Sequence, residues 1–335
     1  MKIKLFILFF SIVIALFVGN RDISIGKDTL NYYYFYSNVS SNNMEYIRIP
    51  EPLFIHFSKF FSYIGLSFNF FLVAVSFISI YLLLYVFVLF IEKFNFSKDK
   101  ETIIVIVLCF FLMLTPFFWS SQINVIRSGI AIPFLFFSIY FLINRNLILF
   151  VIFSLISIMF HYSIVLYIIF FMMFFIFKKY FYHIYILIIS FYLVGLNEII
   201  YKKILGILNV DTMYMSYLDG ETSMDIYKSG VRYDFSLFTL FFIGLFFLIK
   251  IKFNKDFPDS LFKCACILTI PFFLLGTIPF SDRLLLPFWL LIPFIASTFI
   301  LVCFENKNYY SIITVISFFG IFLSFYFSVI SYGII

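Results

Sequence analysis

The sequence predicts an all-α integral membrane protein, a bundle of about eleven transmembrane helices with multiple passes through the bilayer. Hydrophobic residues make up 64% of the 335 residues and charged residues only 12%, whereas about a quarter of the residues in a soluble domain are charged. Apolar windows of about 20 residues recur along the chain, and lysines collect between them. The 56 Phe and 24 Tyr do not indicate a function, because Phe, Ile, Tyr, Lys and Asn are abundant together, as a nucleotide-composition bias would also produce.

The apolar windows place the spans. The first, Ile3–Gly19, follows Lys2 and Lys4 and lacks a small-x-small cleavage site, so we interpret it as an uncleaved helix. An amphipathic segment near Leu53–Tyr63 precedes the second span, Leu66–Ile91. The other predicted spans are residues 102–119, 122–143, 147–161, 162–177, 184–200, 236–251, 261–280, 284–304 and 309–332. We expect one membrane domain over residues 1–335.

The basic residues predict the orientation, because cytoplasmic loops carry an excess of Lys and Arg. With the N-terminal lysines inside, the long loops 20–52 and 201–235 both lie outside. Of the six arginines, Arg145 lies inside and the others lie outside: Arg21, Arg48, Arg127, Arg232 and Arg283. Arginine binds phosphate in a bidentate manner, so this split favours an anionic ligand at the outer face.

Arg127 is the most informative of these residues, because it stands where a membrane helix should begin. It follows Ser120, Ser121, Gln122 and Asn124 and precedes an uncharged run to residue 143. If Ser121 caps the helix, Arg127 lies about two turns inside it, ~9 Å along the axis. A guanidinium at that depth should meet an anion or water. The alternative is an arginine that snorkels to the interface.

Arg283 and Arg232 are the other candidate pyrophosphate-binding residues. Arg283 begins the span at 284–304, where Ser281 or Asp282 is a plausible N-cap and the helix dipole would add to the guanidinium. It could instead be a simple interface anchor. Arg232 ends the loop 201–235, and an ordinary solvated loop would look much the same.

Asp28, Glu51 and His161 are the candidate catalytic bases. Asp28 and Glu51 belong to the outer loop 20–52, where Asp22 and Glu45 are competing candidates. His161 lies at a predicted outer helix junction. A base needs a pKa matched to its task, which sequence does not reveal. A lone His in apolar surroundings is a hydrogen-bonded structural residue at least as often as it is a catalytic base.

Several classes of chemistry have no support in the sequence. The four cysteines, Cys109, Cys264, Cys266 and Cys303, fall inside apolar runs, which disfavours a disulfide framework or a metal site. We find no zinc signature and no glycine-rich nucleotide-binding pattern. The sequence therefore predicts no metal, no cofactor and no nucleic-acid partner.

Five short segments together resemble the EpsG family of Wzy-like polymerases, which act on repeat units of O-antigen, capsule or exopolysaccharide. They are Gly26-Lys27-Asp28 with the tyrosines after it, Glu51-Pro52, the segment Asn124 to Ala131 (NVIRSGIA), Phe160-His161-Tyr162-Ser163, and the late Arg283. The resemblance covers most of the chain.

The resemblance implies an architecture related to the GT-C type of membrane glycosyltransferase. It also implies an enzyme of the bacterial cytoplasmic membrane that transfers a growing glycan from undecaprenyl pyrophosphate to a new lipid-linked repeat unit at the outer face. Donor, acceptor and membrane lipids would be its partners, with a chain-length regulator and a flippase as further candidates. Outer arginines would stabilise the leaving pyrophosphate, and an outer carboxylate or His161 would accept a proton.

Other functions share these features. A lipid-linked oligosaccharide flippase would also need arginines, but it should show internal repeats and charges deep in its spans, and the sequence shows neither clearly. A ligase of the O-antigen type is close in chemistry and is poorly separated by sequence. A non-catalytic membrane scaffold would not explain why the arginines lie mostly in the predicted outer loops.

Overall fold

The computed structural model describes residues 2–40, 51–199, 230–253, 255–278 and 280–305. All the regular elements in these ranges are helices, and the helices fall into two compact units. The first unit contains residues 1–165 and 293–335, and the second contains residues 166–292. The outer-loop residues 41–50 and 201–229 and the predicted span 309–332 lie outside the described residues.

The first unit contains eight helices in chain order among the residues described: α1 (Lys2–Gly19), α2 (Thr29–Ser40), α3 (Pro52–Tyr63), α4 (Phe68–Lys93), α5 (Lys98–Leu114), α6 (Pro116–Ile123), α7 (Ile126–Ile143) and α8 (Leu147–Phe160). In the packing of this unit, α4 contacts both α1 and α7, and α7 contacts α8. Helices α2 and α3 pack on each other, and α3 also contacts α8.

The chain then enters the second unit. Its elements are α9 (Ile164–Phe177), a 3₁₀ turn (Lys178–Tyr180), α10 (Phe181–Leu193), α11 (Tyr233–Phe253), α12 (Asp256–Leu275), a second 3₁₀ turn (Ser281–Leu284) and α13 (Leu286–Glu305). From Pro293 onward, α13 belongs to the first unit. Within the second unit, polar side chains bind helix ends: the Tyr192 hydroxyl donates to the Gly276 carbonyl, and the Tyr167 hydroxyl to that of Leu284.

The helices are those of a polytopic membrane protein. Among the described residues, five helices are long and apolar enough to cross a bilayer: α1, α4, α7, α11 and α12. The pair α5 and α6 qualifies together but bends by 70°. Shorter apolar helices occupy Leu147–Phe160, Ile164–Met173, Phe181–Leu193 and Leu286–Val302. Each predicted span before residue 305 overlaps a described helix, although 102–119 is divided between α5 and α6, and the total of about eleven stays a prediction.

The prediction was wrong about one continuous helix at 102–119. Thr115 has an extended backbone (φ −91°, ψ 116°), and Pro116 is the first residue of α6. A residue before proline avoids the helical conformation, so α5 ends and the chain turns at this point. The next span also begins later than predicted, at Ile126 rather than 122, because residues 122 and 123 complete α6.

Helix α6, which follows the break at Thr115, packs closely against α7 and α4. A Cβ added at Gly129 in α7 would overlap the carbonyl oxygen of Ser121 in α6. The Ser79 hydroxyl of α4 donates to the Gly129 carbonyl (2.8 Å) and accepts a hydrogen bond from the Gln122 amide (3.1 Å). Small residues and hydroxyl groups join membrane helices in this way. Helix α6 is therefore fixed between α4 and the start of α7.

We expect Gly129→Ala to destabilise the protein by about 1–3 kcal/mol, because the added methyl group has no room against Ser121. Gly244→Ala in α11 is the matched control: no atom lies within 4 Å of its added Cβ, and alanine is favoured over glycine in a helix by about 1 kcal/mol. Thermal unfolding of both purified variants in detergent checks this. A Gly129→Ala protein as stable as wild type would show that the two helices are not tightly packed here.

Candidate functional site

Glu51 lies between Arg127 and His161 in the first unit. One carboxylate oxygen, Oε2, accepts a hydrogen bond from Nη1 of Arg127 at 2.6 Å. The other, Oε1, is 3.0 Å from Nδ1 of His161. The Glu51 side chain is 4% exposed, while those of Arg127 and His161 are 26% and 23% exposed. The carboxylate is thus buried, and its two partners reach solvent.

The start of α3 aims Glu51 at these partners. Glu51 occupies the N-cap position with an extended backbone (φ −72°, ψ 112°), and Pro52 follows at the first helical position. An acidic N-cap residue usually binds the free amides of its own helix, but the Glu51 side chain makes no capping hydrogen bond. Both oxygens instead bind residues of other helices.

The break between α6 and α7 positions Arg127. Val125 is the N-cap of α7, and Arg127 is the second residue of the helix. The expectation that Ser121 caps this helix and that Arg127 lies two turns inside was therefore wrong, because Ser121 is part of α6. The first helical turn carries free amides and the positive end of the helix dipole. Its position makes Arg127 part of a region of positive potential.

His161 takes its position from the end of α8. It is the C-cap residue with an extended backbone, and its amide donates to the Ser157 carbonyl (3.0 Å). The Ser157 hydroxyl in turn donates to the Ala131 carbonyl of α7 (2.7 Å). The neighbouring Phe160 is buried and stacks on Phe134 of α7. These contacts hold the end of α8 on the helix that carries Arg127.

The pKa of Glu51 is below its ordinary value of 4.5. Burial by itself would raise this pKa, but the hydrogen bond to His161 and the charge of Arg127 outweigh burial and lower it. The carboxylate is therefore ionised at neutral pH and accepts hydrogen bonds with both oxygens. An ionised carboxylate that accepts a hydrogen bond at each oxygen is a weak base.

The geometry sets the tautomer of His161. An ionised carboxylate only accepts hydrogen bonds, so Nδ1 of His161 must carry the proton that it shares with Glu51. In the neutral imidazole the lone pair then lies on Nε2. A carboxylate that orients an imidazole in this way prepares it as a general base.

Tyr32 interacts with Arg127, and Arg21 interacts with Tyr32; neither residue was predicted to belong to the site. Arg21 is 7% exposed; its guanidinium donates to the Val18 carbonyl at the end of α1 (2.9 Å) and to the Ile123 carbonyl at the end of α6 (3.2 Å). Burial lowers the pKa of Arg21 to about 10, so it stays charged at neutral pH. The buried Tyr32 interacts with both Arg21 and Arg127. The one signal for Arg21 was its place just after a helix, where basic side chains bind the last carbonyls.

The segment that contains Asp28 packs against the junction between α6 and α7. The Lys27 amide donates to the side-chain oxygen of Asn124 at 2.9 Å. Gly26 has a positive φ of 91°, and a Cβ there would lie 2.5 Å from Ile123 and 2.8 Å from Asn124. Only glycine fits both requirements. Asp28 itself is half-buried at the start of α2, and its role as a base stays a prediction.

Arg232 and Arg283 both belong to the second unit. The Arg232 guanidinium forms two hydrogen bonds to the Asp234 carboxylate, at 3.0 Å and 2.6 Å. Arg283 is exposed and lies over the Phe280 ring, 4.8 Å from its centre. It is part of the 3₁₀ turn Ser281–Leu284, and helix α13 begins only at Leu286, so the expected capping of that helix by Ser281 or Asp282 was wrong. The expectation that these arginines bind pyrophosphate stays a prediction.

Within the ranges that the structure describes, no group of three or more His, Cys, Asp or Glu side chains could hold a metal ion. The groups suited to a ligand are cationic. The buried Nε of Arg127 has no hydrogen-bond partner among the described residues, and the side chain reaches solvent with 26% of its surface.

The helices define a polytopic membrane protein, and its first unit carries a buried carboxylate held between a guanidinium and an imidazole. The family model described as "EpsG family" matches residues 4–334, and the chain therefore belongs to the EpsG family. It is a Wzy-like, polymerase-type membrane protein of polysaccharide biosynthesis. No curated protein and no solved structure matches the chain.

The pairing of Glu51 predicts a pH-dependent stability. Because the pKa of Glu51 is lower in the folded protein than in the unfolded chain, the ionised carboxylate stabilises the fold above pH ~4.5, and this contribution is lost as the pH falls through the folded pKa. We expect Glu51→Gln to cost about 3 kcal/mol near pH 7 and the gap to wild type to narrow below pH ~4.5.

Thermal unfolding of both proteins across this range measures the effect. Glu92→Gln is the control, because Glu92 is exposed and its loss should change stability by no more than about 0.5 kcal/mol. A Glu51→Gln protein that matches wild type at every pH would show that the buried pair does not hold these helices together.

Proposed function

We propose that this protein polymerises polysaccharide repeat units by transferring a glycan from an undecaprenyl-pyrophosphate carrier to a lipid-linked repeat unit. The reaction would take place at the outer face of the bacterial cytoplasmic membrane. The observation that carries this proposal is the arrangement of Glu51 between Arg127 and His161, which places an oriented imidazole and a guanidinium on one buried carboxylate. Membership of the EpsG family supports the class of reaction.

His161 is our candidate for the general base. The acceptor sugar hydroxyl must lose a proton as its oxygen attacks the anomeric carbon, and Nε2 of His161 would accept it. Glu51 would act as a positioning residue, since it fixes the ring and stabilises the imidazolium that forms. Of the predicted bases Asp28, Glu51 and His161, the hydrogen bonds favour the histidine.

Arg127 is our candidate for the pyrophosphate contact. The leaving pyrophosphate gains negative charge in the transition state, and preorganised donors there lower the barrier more than they strengthen ground-state binding. The Arg127 side chain is 26% exposed, and its backbone belongs to the first turn of α7. That Arg283 and Arg232, which belong to the second unit, also bind phosphate stays a prediction from the sequence.

The tyrosines of α2 divide into two groups. Tyr32 and Tyr36 are buried and belong to the packing of α2 on α3 and α4. Tyr33 and Tyr34 are 39% and 56% exposed. We propose that the exposed pair stacks against sugar rings of the glycan, because aromatic faces suit the apolar faces of sugars.

The proposal predicts that lysine cannot replace Arg127. Arginine presents a planar fork to two phosphate oxygens and lysine only a point charge. Arg127→Lys keeps a cation for Glu51, so the protein should fold and insert, but polymerisation should lose about 2–4 kcal/mol of transition-state stabilisation. Arg283→Lys should behave alike. Arg145→Lys is the control, because Arg145 is exposed in the turn between α7 and α8.

Glycan ladders from cells with matched levels of each variant give the measurement. We expect short products from Arg127→Lys and Arg283→Lys and a full ladder from Arg145→Lys. Full ladders from both site variants would mean that these arginines only anchor the protein at the interface. A variant that removes all surface glycan, including single repeat units, would point to export instead of polymerisation.

A further inference from the structure

A pocket with charged and apolar walls lies where α11 ends and α12 begins, in the second unit, whereas Glu51, Arg127 and His161 belong to the first. It has a volume of about 530 Å³ and is lined by Phe247, Lys250, Ile251, Lys255, Asp256 and Asp259. Lys250 belongs to the last turn of α11, and Asp256 is the first residue of α12. The pocket therefore opens at one end of the candidate span Tyr233–Phe253.

Positive charge exceeds negative charge here. Asp259 accepts hydrogen bonds from both Lys250 (2.8 Å) and Lys263, so two ammonium groups share one carboxylate. Lys252 and Lys255 add two exposed cations, and Asp256 adds one exposed anion. The pocket lining itself holds two lysines and two aspartates. With Lys252 and Lys263, the segment 250–263 has four lysines and two aspartates, and this excess of two positive charges suits an anionic group.

Apolar surface adjoins this charge. Phe247 and Ile251 line the pocket and are exposed, at 44% and 56%. Lys250 also contacts the ring of Tyr182 from α10, 5.0 Å from its centre, and donates to the Tyr182 hydroxyl (2.9 Å). A free anion would gain nothing from the exposed apolar side chains. A lipid would cover them with its acyl chains.

We propose that this pocket binds the headgroup of an anionic phospholipid. Its phosphate would lie against Lys250 and Lys255, and its acyl chains along Phe247 and Ile251. Basic pockets between transmembrane helices on the cytoplasmic side bind such headgroups, and the lysine distribution assigns these residues to that side. The site would fix the end of α11 relative to α12 and would act independently of the polymerisation chemistry.

Lipid binding to the full-length purified protein tests the proposal. Native mass spectrometry would compare retention of phosphatidylglycerol and phosphatidylcholine by wild type and by the double variant Lys250→Gln with Lys255→Gln. The matched control is Lys98→Gln with Lys100→Gln, because α5 also begins with lysines beside acidic residues. We expect preferential retention of phosphatidylglycerol, weakened on the order of tenfold in the double variant and unchanged in the control.

Two results would overturn the proposal. One is equal retention of phosphatidylglycerol by the double variant and wild type. The other is displacement of the lipid by soluble glycerol phosphate at equal concentration, which would define a site for free anions. If Lys250→Gln prevents folding, Lys255→Glu decides the question, because Lys255 is exposed and its charge reversal should weaken retention at least as much. Binding is measured without polymerisation, so a failure here leaves the proposed function untouched.

Discussion

The structure of the first unit depends on a single buried carboxylate. Glu51 is almost fully removed from solvent, and an unpaired ion in that position would cost several kcal/mol. It is tolerated because Arg127 and His161 bind its two oxygens from different helices. Removal of either partner leaves one oxygen of the buried carboxylate without its hydrogen bond. The interaction that stabilises the junction of α3, α7 and α8 is thus also the one that orients the candidate base.

The broken helix explains how a charged residue comes to lie at this junction. The turn at Thr115 and the new start at Ile126 place Arg127 in the first turn of α7. Arg21 binds the carbonyl of Ile123 at the end of α6, and Asn124 accepts the amide of Lys27. The loop between α1 and α2 and the junction between α6 and α7 therefore stabilise each other through hydrogen bonds.

These contacts explain the physical role of most of the segments through which the sequence resembles the EpsG family. Gly26 permits the loop to lie against Ile123 and Asn124, Glu51-Pro52 begins α3 with its carboxylate turned away from its own helix, and the residue after Phe160 binds that carboxylate through Nδ1. Most of these segments therefore lie around the Glu51 carboxylate or the residues that bind it. They form one compact site although they are far apart in the sequence.

The sequence predicted the helices well and the contacts poorly. Apolar length locates spans, but proline alone does not locate a break: Pro116 starts a new helix, whereas Pro133, Pro271 and Pro293 lie inside continuous helices. Glu51, Arg127 and His161 were each candidates, yet their pairing joins residues 76 and 110 positions apart, which no local pattern reveals. Arg21 resembled an ordinary loop arginine because burial is not visible in composition.

The most direct test of the central claim is the lipid-linked and surface glycan of a cell that lacks the gene and is complemented with Glu51→Gln. The account predicts that wild type restores a ladder of polymer, while Glu51→Gln at equal protein level yields only single repeat units, because His161 loses its orienting charge. A full ladder from Glu51→Gln would contradict it.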